Sequence, residues 1–154
     1  MRPVGFYINL FSFVNSIREQ GAIVSNYGGN KKEPWVSPLD IADVIAEEAG
    51  KPFSSRTVRY IASDEISPDE IAIALGEAIG MPDLQWKVIP DEQLLNNWIG
   101  TGFNPQVAKG FIEMQAAQRS GLLYEDYYRN QPALGKVKLA DFAKEFSKVY
   151  FATH

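Results

Sequence analysis

Arg2-Pro3-Val4-Gly5-Phe6-Tyr7-Ile8-Asn9-Leu10 stands at the start of this 154-residue chain and decides how the rest is read. An Arg-Pro-Val-Gly turn runs straight into a segment that is apolar almost all round: Phe6, Tyr7, Ile8, Leu10, Phe11, Phe13, Val14 and Ile17. Read as one helix over residues 5–19, it carries a single narrow polar stripe of Asn9, Ser12 and Ser16. A helix of that kind needs burial on most sides. Chain termini are ordinarily polar and frayed unless tied down. The expectation is that something normally precedes Met1 and covers this helix.

Working outward, Gly21 stops the helix in the usual C-terminal position. Ala22–Asn26 reads as a strand, 27–32 as a turn and Pro34–Ser37 as a second extended piece. Ser37-Pro38-Leu39-Asp40 opens a helix: serine caps, proline suits the first position, and the acid sits at the positive end of the dipole. That helix ends at Gly50. Thr57–Ser63 is β-branched and aromatic and reads as the best-marked strand. Ser67-Pro68-Asp69-Glu70 has capping-box spacing and starts a helix that stops at Gly80.

Gln85–Pro90 alternates as a strand. Helices are expected from Asp91 to about Ile99 and from Asn104-Pro105 to about Arg119. Leu122–Lys136 reads as an irregular aromatic stretch with Tyr124, Tyr127 and Tyr128. A last helix near Leu139–Phe151 puts Leu139, Phe142, Phe146 and Val149 on one face and Lys144, Glu145 and Lys148 on the other. Roughly three to four strands alternating with five to six helices predict an α/β fold. No repeat, low-complexity linker or internal boundary interrupts residues 1–154, so a single domain is expected.

Composition narrows the function. Hydrophobic residues make up 45% and charged residues 22%, an ordinary globular balance. A net charge of -4, a pI near 5.0 and scattered lysines and arginines argue against nucleic acid as a partner. There is no cysteine, hence no disulfide, thiolate chemistry or cysteine metal site; this fits a cytoplasmic setting. The apolar run at 4–17 is too short and too polar to span a bilayer, and it lacks the flanks of a signal peptide.

Local motifs are weak. Gly100-Thr101-Gly102 lacks a third glycine and follows a helix, so it reads as a loop between helices, not a nucleotide fingerprint. Tyr27 and Lys31 have tyrosine-x-x-x-lysine spacing, but Gly28-Gly29 between them makes a poor helix interior. His154, the one histidine, ends the chain, a poor place for a general base or metal ligand. The paired acids Glu47-Glu48, Asp64-Glu65 and Asp69-Glu70 read as capping and solvation at helix ends and in a turn. The tyrosines at 124–128 read as packing before ligand contact. Spacing leaves the Asn9 stripe open between helix packing and a ligand at a cleft edge. No catalytic or metal-ligating residue is assigned.

The ordered series of segments says more than any one motif. Arg2-Pro3-Val4-Gly5-Phe6-Tyr7-Ile8-Asn9, then Trp35-Val36-Ser37-Pro38-Leu39-Asp40-Ile41-Ala42, then Thr57–Ala62, then Leu139-Ala140-Asp141-Phe142-Ala143, resembles the NmrA-like family. These are atypical short-chain dehydrogenase/reductase proteins with a Rossmann-like, NAD(P)-binding fold. The resemblance spans nearly the whole chain and implies the C-terminal, substrate-side half. The family's Gly-rich phosphate loop has no counterpart here.

It implies that Pro3 and Gly5 lie by the cofactor, NAD or NADP in a full-length parent, and that Phe6, Tyr7 and Asn9 meet a small-molecule substrate. It also implies an oxidoreductase or epimerase-type parent, with this chain alone truncated, inactive and without cofactor. The alternative is a non-catalytic NAD(P)-sensing or protein-interaction module. The apolar 6–17 helix is expected to drive self-association.

Overall fold

A computed structural model describes residues 1–152; His154, set aside above as a base, lies outside them. The chain opens with two short strands, β1 (Arg2–Pro3) and β2 (Gly5–Phe6). A 3-10 helix over Tyr7–Phe13 then passes into α1 (Val14–Gln20), capped by Gly21 at φ 65°. One helix over 5–19 was expected, and its first half is corrected. Phe6 is extended and pairs with Val36, so the chain enters its first turn from a ladder with no side-chain cap. Ser12 and Ser16 donate to the carbonyls of Asn9 and Phe13, three residues back, at 2.7 and 3.1 Å. Such back-bonding competes with the regular helix and suits the tighter 3-10 turn.

The segment is also less open than its composition implied. Tyr7, Leu10, Val14 and Ile17 are buried. Part of the cover over the 3-10 segment comes from α7 (Leu139–Ala152). Phe142 stacks on Tyr7 at 5.2 Å, and Phe146 stacks on Phe11 at 5.8 Å. Of the large apolar side chains between residues 6 and 17, Ile8 alone is counted as exposed, at 46%.

The remaining strands are β3 (Ala22–Ser25), β4 (Glu33–Val36), β5 (Tyr60–Ile61), β6 (Asp64–Ile66) and β7 (Gln85–Val88). They form three small ladders. β1 runs parallel to β5, β3 runs parallel to β7, and β4 lies between parallel β2 and antiparallel β6. The expected strand at Thr57–Ser63 shrinks to Tyr60–Ile61, because its partner β1 offers only Arg2 and Pro3. β6 was not foreseen: Asp64-Glu65 read as an acidic turn. Its pairing with Glu33, Pro34 and Trp35 overrides that composition.

The helices α2 (Pro38–Ala49), α3 (Pro68–Ile79), α4 (Asp91–Gly100) and α5 (Pro105–Ser120) fall close to their expected limits. Ser37 caps α2 through the Leu39 amide at 3.2 Å, and the Asn104 side chain takes two amides of α5. Gly102 turns the loop between α4 and α5 at φ 89°, as a loop reading of Gly100-Thr101-Gly102 requires. Within the stretch read as irregular, a 3-10 turn (Leu122–Tyr124) and α6 (Glu125–Arg129) are ordered.

At α3 the capping box is complete: Ser67 accepts from the Glu70 amide at 3.2 Å, and Glu70 accepts from the Ser67 amide at 2.8 Å. Ser67→Ala removes one side of it and should cost about 1 kcal/mol in urea unfolding. Glu70→Gln, which keeps an acceptor, should cost less.

The main core gathers Tyr7, Leu10 and Ile17 with Ile71, Leu75, Trp86, Phe142 and Phe146. A smaller cluster of Val4, Val36, Ile61, Ala62, Tyr124 and Tyr127 sits beneath β1, β2 and β5. The fold is therefore α/β. Among the described residues, no helix is long and apolar enough to cross a membrane.

Candidate functional site

The residues singled out at the chain start sit on one connected piece of structure but differ in access. Pro3 is exposed on β1 and pairs with Ile61. Gly5 is half-buried on β2 opposite Trp35. Phe6, half-buried, packs on the smaller core cluster. Tyr7 is sealed, with Trp35 stacked at 6.4 Å and Phe142 at 5.2 Å. Its hydroxyl has no hydrogen-bond partner among the described residues, and burial, with the charges of Asp64 and Asp40 behind it, pushes its pKa far up. Asn9 is exposed, and its carbonyl accepts from Ser12.

Gly5 is the tightest of these positions. A Cβ placed on it would lie 3.1 Å from the Tyr124 hydroxyl and 3.5 Å from the Pro34 carbonyl oxygen. The close approach of Tyr124 favours glycine here. The Tyr124 ring is buried; its hydroxyl makes no hydrogen bond among the described residues and keeps contact with solvent. Burial first, then the charge of Glu33, pushes its pKa up, so the phenol stays a proton donor through the neutral range. The sequence reading assigned Tyr124 to packing. Its place in the smaller core cluster agrees with that reading, and the approach of its hydroxyl to Gly5 has no local signature in the sequence.

Behind this corner lies a buried acid. Glu33 is 6% exposed, and Gln118 of α5 donates to its carboxylate at 2.6 Å. Burial raises its pKa, while the Gln118 hydrogen bond and the Lys31 charge oppose that rise. An acid with a raised folded pKa binds protons more readily folded than unfolded. Its contribution is then most favourable in acid and is lost as pH climbs through the folded value. Glu33→Gln should gain stability relative to the parent chain as pH rises from about 3.5 to about 7. Paired urea titrations at the two values check this; a constant difference contradicts it.

A second polar knot ties α2 to the end of the chain. Asp40, 4% exposed, accepts from the Ser63 hydroxyl at 2.5 Å and from the Lys136 and Val137 amides at 3.0 Å each. Ser63 in turn accepts from the Ser37 amide, and its carbonyl accepts from the Lys138 ammonium at 2.6 Å. Burial acts to raise the Asp40 pKa, but these donors and the Lys138 charge outweigh it and hold it below the usual range. Gly135 lies so close that any Cβ there would run into the carboxylate.

An open groove of about 830 Å³ lies between α2, β5 and the Asn130–Lys136 segment. None of Pro3, Gly5, Phe6, Tyr7 and Asn9 lines it. Its charged groups are already engaged: Arg59 is held by Glu48 and Glu47 at 2.6 and 3.1 Å, and Asp40 by the knot just described. The described residues hold no group of three or more histidine, cysteine or carboxylate side chains that could bind a metal ion.

No family model and no curated protein matches the chain. Solved structures do. The NADPH-dependent quinone oxidoreductase of Escherichia coli, crystallised with NADPH, superposes with a TM-score of 0.75 at 15% identity, over 94% of this chain and 51% of that one. Triphenylmethane reductase from Citrobacter sp. gives 0.66 at 19% identity, over 91% and 47%. L-threonine dehydrogenase from Phytophthora infestans gives 0.53 at 12% identity, over 100% and 45%. The chain thus has the α/β fold of part of these oxidoreductases and spans about half their length.

Proposed function

We propose that this chain is the C-terminal, substrate-binding portion of an NmrA-like NAD(P)-dependent oxidoreductase or epimerase-type protein, inactive by itself. The observation that carries the reading is the lopsided superposition: 94% of this chain matches only 51% of the NADPH-bound enzyme. The missing phosphate loop supports it, since nothing here presents a Gly-rich turn at a helix N-terminus to a pyrophosphate.

The Gly5 corner fits the reacting end of a dinucleotide and the substrate beside it. Pro3 and Gly5 would border the nicotinamide, which when bound supplies a hydride. Phe6 and Asn9 would face substrate. Tyr7, sealed between Trp35 and Phe142, serves the site by holding that segment in place. Tyr124 stands over Gly5 as a neutral hydrogen-bond donor, suited to an oxygen on which negative charge develops. A sensing module that binds NAD(P) without turnover would use the same surface. Self-association through residues 6–17 would rest on a narrow patch around Ile8, and sedimentation velocity across concentration reads it.

The test of the reading is the DNA immediately upstream of the Met1 codon. An in-frame segment encoding a strand, a Gly-rich loop and a helix is the expected result. A stop codon close upstream, with no such segment, would contradict it.

A further inference from the structure

α5 turns three sides to its surroundings. Ala108 and Ile112 are buried against the fold. Lys109 and Glu113, paired at 3.9 Å, stand in solvent on a second side. Along the third runs an uncharged stripe of Val107, Gly110, Phe111 and Met114, at positions i, i+3, i+4 and i+7. Val107, Phe111 and Met114 are apolar yet exposed, at 49%, 42% and 43%. Phe103, also exposed, extends the patch, its ring 6.3 Å from that of Phe111. Gly110 is the odd member. Glycine inside a helix costs backbone entropy, and close packing is a usual reason to keep one. Yet a Cβ on Gly110 would meet nothing within 4 Å, so nothing among the described residues needs the gap.

We infer that this stripe is a self-docking surface, through which two copies of the chain pair their α5 helices antiparallel about a two-fold axis. The order of residues suits that pairing. With the axis between Gly110 and Phe111, Phe111 of each copy sits over Gly110 of the other, a knob in a notch. Val107 and Met114 lie equally far on either side of the axis, so Val107 of each copy meets Met114 of the other. The gap at Gly110 thereby gains an occupant. No charge in the stripe repels its own copy, and none selects a partner of opposite sign. At roughly 200 Å² per side chain, Phe103, Val107, Phe111 and Met114 leave roughly 350 Å² of apolar surface per copy. A stable interface covers about 800 Å² a side, with an apolar centre inside a polar rim. The stripe is the right size for that centre in a dimer of modest strength.

The experiment is sedimentation velocity on the chain from about 5 to about 500 µM, where a reversible monomer–dimer equilibrium is expected, half complete near roughly 50 µM. Phe111→Glu should hold the chain monomeric throughout. Gly110→Gln gives the sharper reading. It fills open space with a better helix former, so urea unfolding should show the same midpoint or a higher one. It also fills the notch, so dimerisation should weaken roughly tenfold. A glycine kept only for the fold would not separate the two effects. Val107→Lys and Met114→Glu should each be monomeric alone and pair when mixed, because the two-fold sets one against the other. Ile8→Glu, at the exposed apolar residue of the 3-10 segment, should leave the dimer unchanged.

A chain that stays monomeric to about 500 µM would overturn the inference and leave the stripe to a different partner. A dimer that Ile8→Glu dissolves and Gly110→Gln leaves intact would overturn it too, as would a mixture of Val107→Lys and Met114→Glu that does not pair. The pairing uses none of Pro3, Gly5, Phe6, Tyr7 and Asn9. Its failure therefore leaves the upstream-DNA test, and the oxidoreductase reading which that test decides, untouched.

Discussion

Phe146→Ala should lower the stability of the chain by about 4 kcal/mol, the largest effect expected of any single truncation here. Phe146 has no exposed surface and sits in a ladder of rings. Phe11 stacks on it at 5.8 Å, Phe142 is at 6.2 Å and Tyr150 at 6.5 Å. Alanine removes the ring from the junction of α7, α3 and the 3-10 segment, none of which can collapse inward without losing its own contacts. Domains of this size hold about 5–15 kcal/mol in all, so the loss takes a large share of the total. Urea unfolding should show a lower midpoint with an unchanged slope. A loss under about 1 kcal/mol would mean that α7 does not pack as described.

Asp40→Ala comes second, at about 3 kcal/mol. It strips the acceptor from the Lys136 and Val137 amides and from the Ser63 hydroxyl. That frees the segment that leads into α7. The pH signature has the opposite sign to that of Glu33. Asp40 has a folded pKa below its unfolded one, so its contribution is present above about pH 3.9 and is lost as pH falls through the folded value. The gap between Asp40→Ala and the parent should accordingly narrow in acid. Gly135→Ala should also destabilise the chain, and less so in the Asp40→Ala background, where the carboxylate it would strike is gone. Additive losses in that cycle would refute the contact.

Most helices were legible because their ends are written locally. Serine with proline at Ser37 and Ser67, asparagine with proline at Asn104, and glycine at Gly80 and Gly121 each settle a boundary within a few residues. The strands were legible where they run for four residues, as in β3, β4 and β7. Tyr60–Ile61 was overextended because strand length is set by the partner, which the local pattern does not contain. Asp64–Ile66 was missed for the same reason. The helix read over 5–19 was right in its second half. The first half depended on Gly5 and Phe6 joining Trp35 and Val36, a contact thirty residues away.

The placement of the chain-start residues was legible, and the groups that surround them were not. Pro3, Gly5, Phe6 and Asn9 lie together at the chain start as their sequence order requires. The groups that give that corner its character come from far away: Tyr124 after α5, Glu33 on β4 and Gln118 at the end of α5. Burial decides their roles. Glu33 directly follows two lysines in the sequence, yet only 6% of it is exposed. Asp40 read as a residue favoured by the helix dipole. Its larger part, holding the Lys136–Val137 backbone, depends on a segment nearly a hundred residues downstream.

One calorimetric titration bears on whether this chain is the substrate-side portion of a dinucleotide enzyme and not a complete one. NADPH is titrated into the chain at a temperature where the fold is intact. With no phosphate-binding loop in the sequence, the expected result is flat heats with no saturable binding. A saturable one-to-one isotherm would contradict the proposal, because the chain would then supply a full dinucleotide site from its own residues.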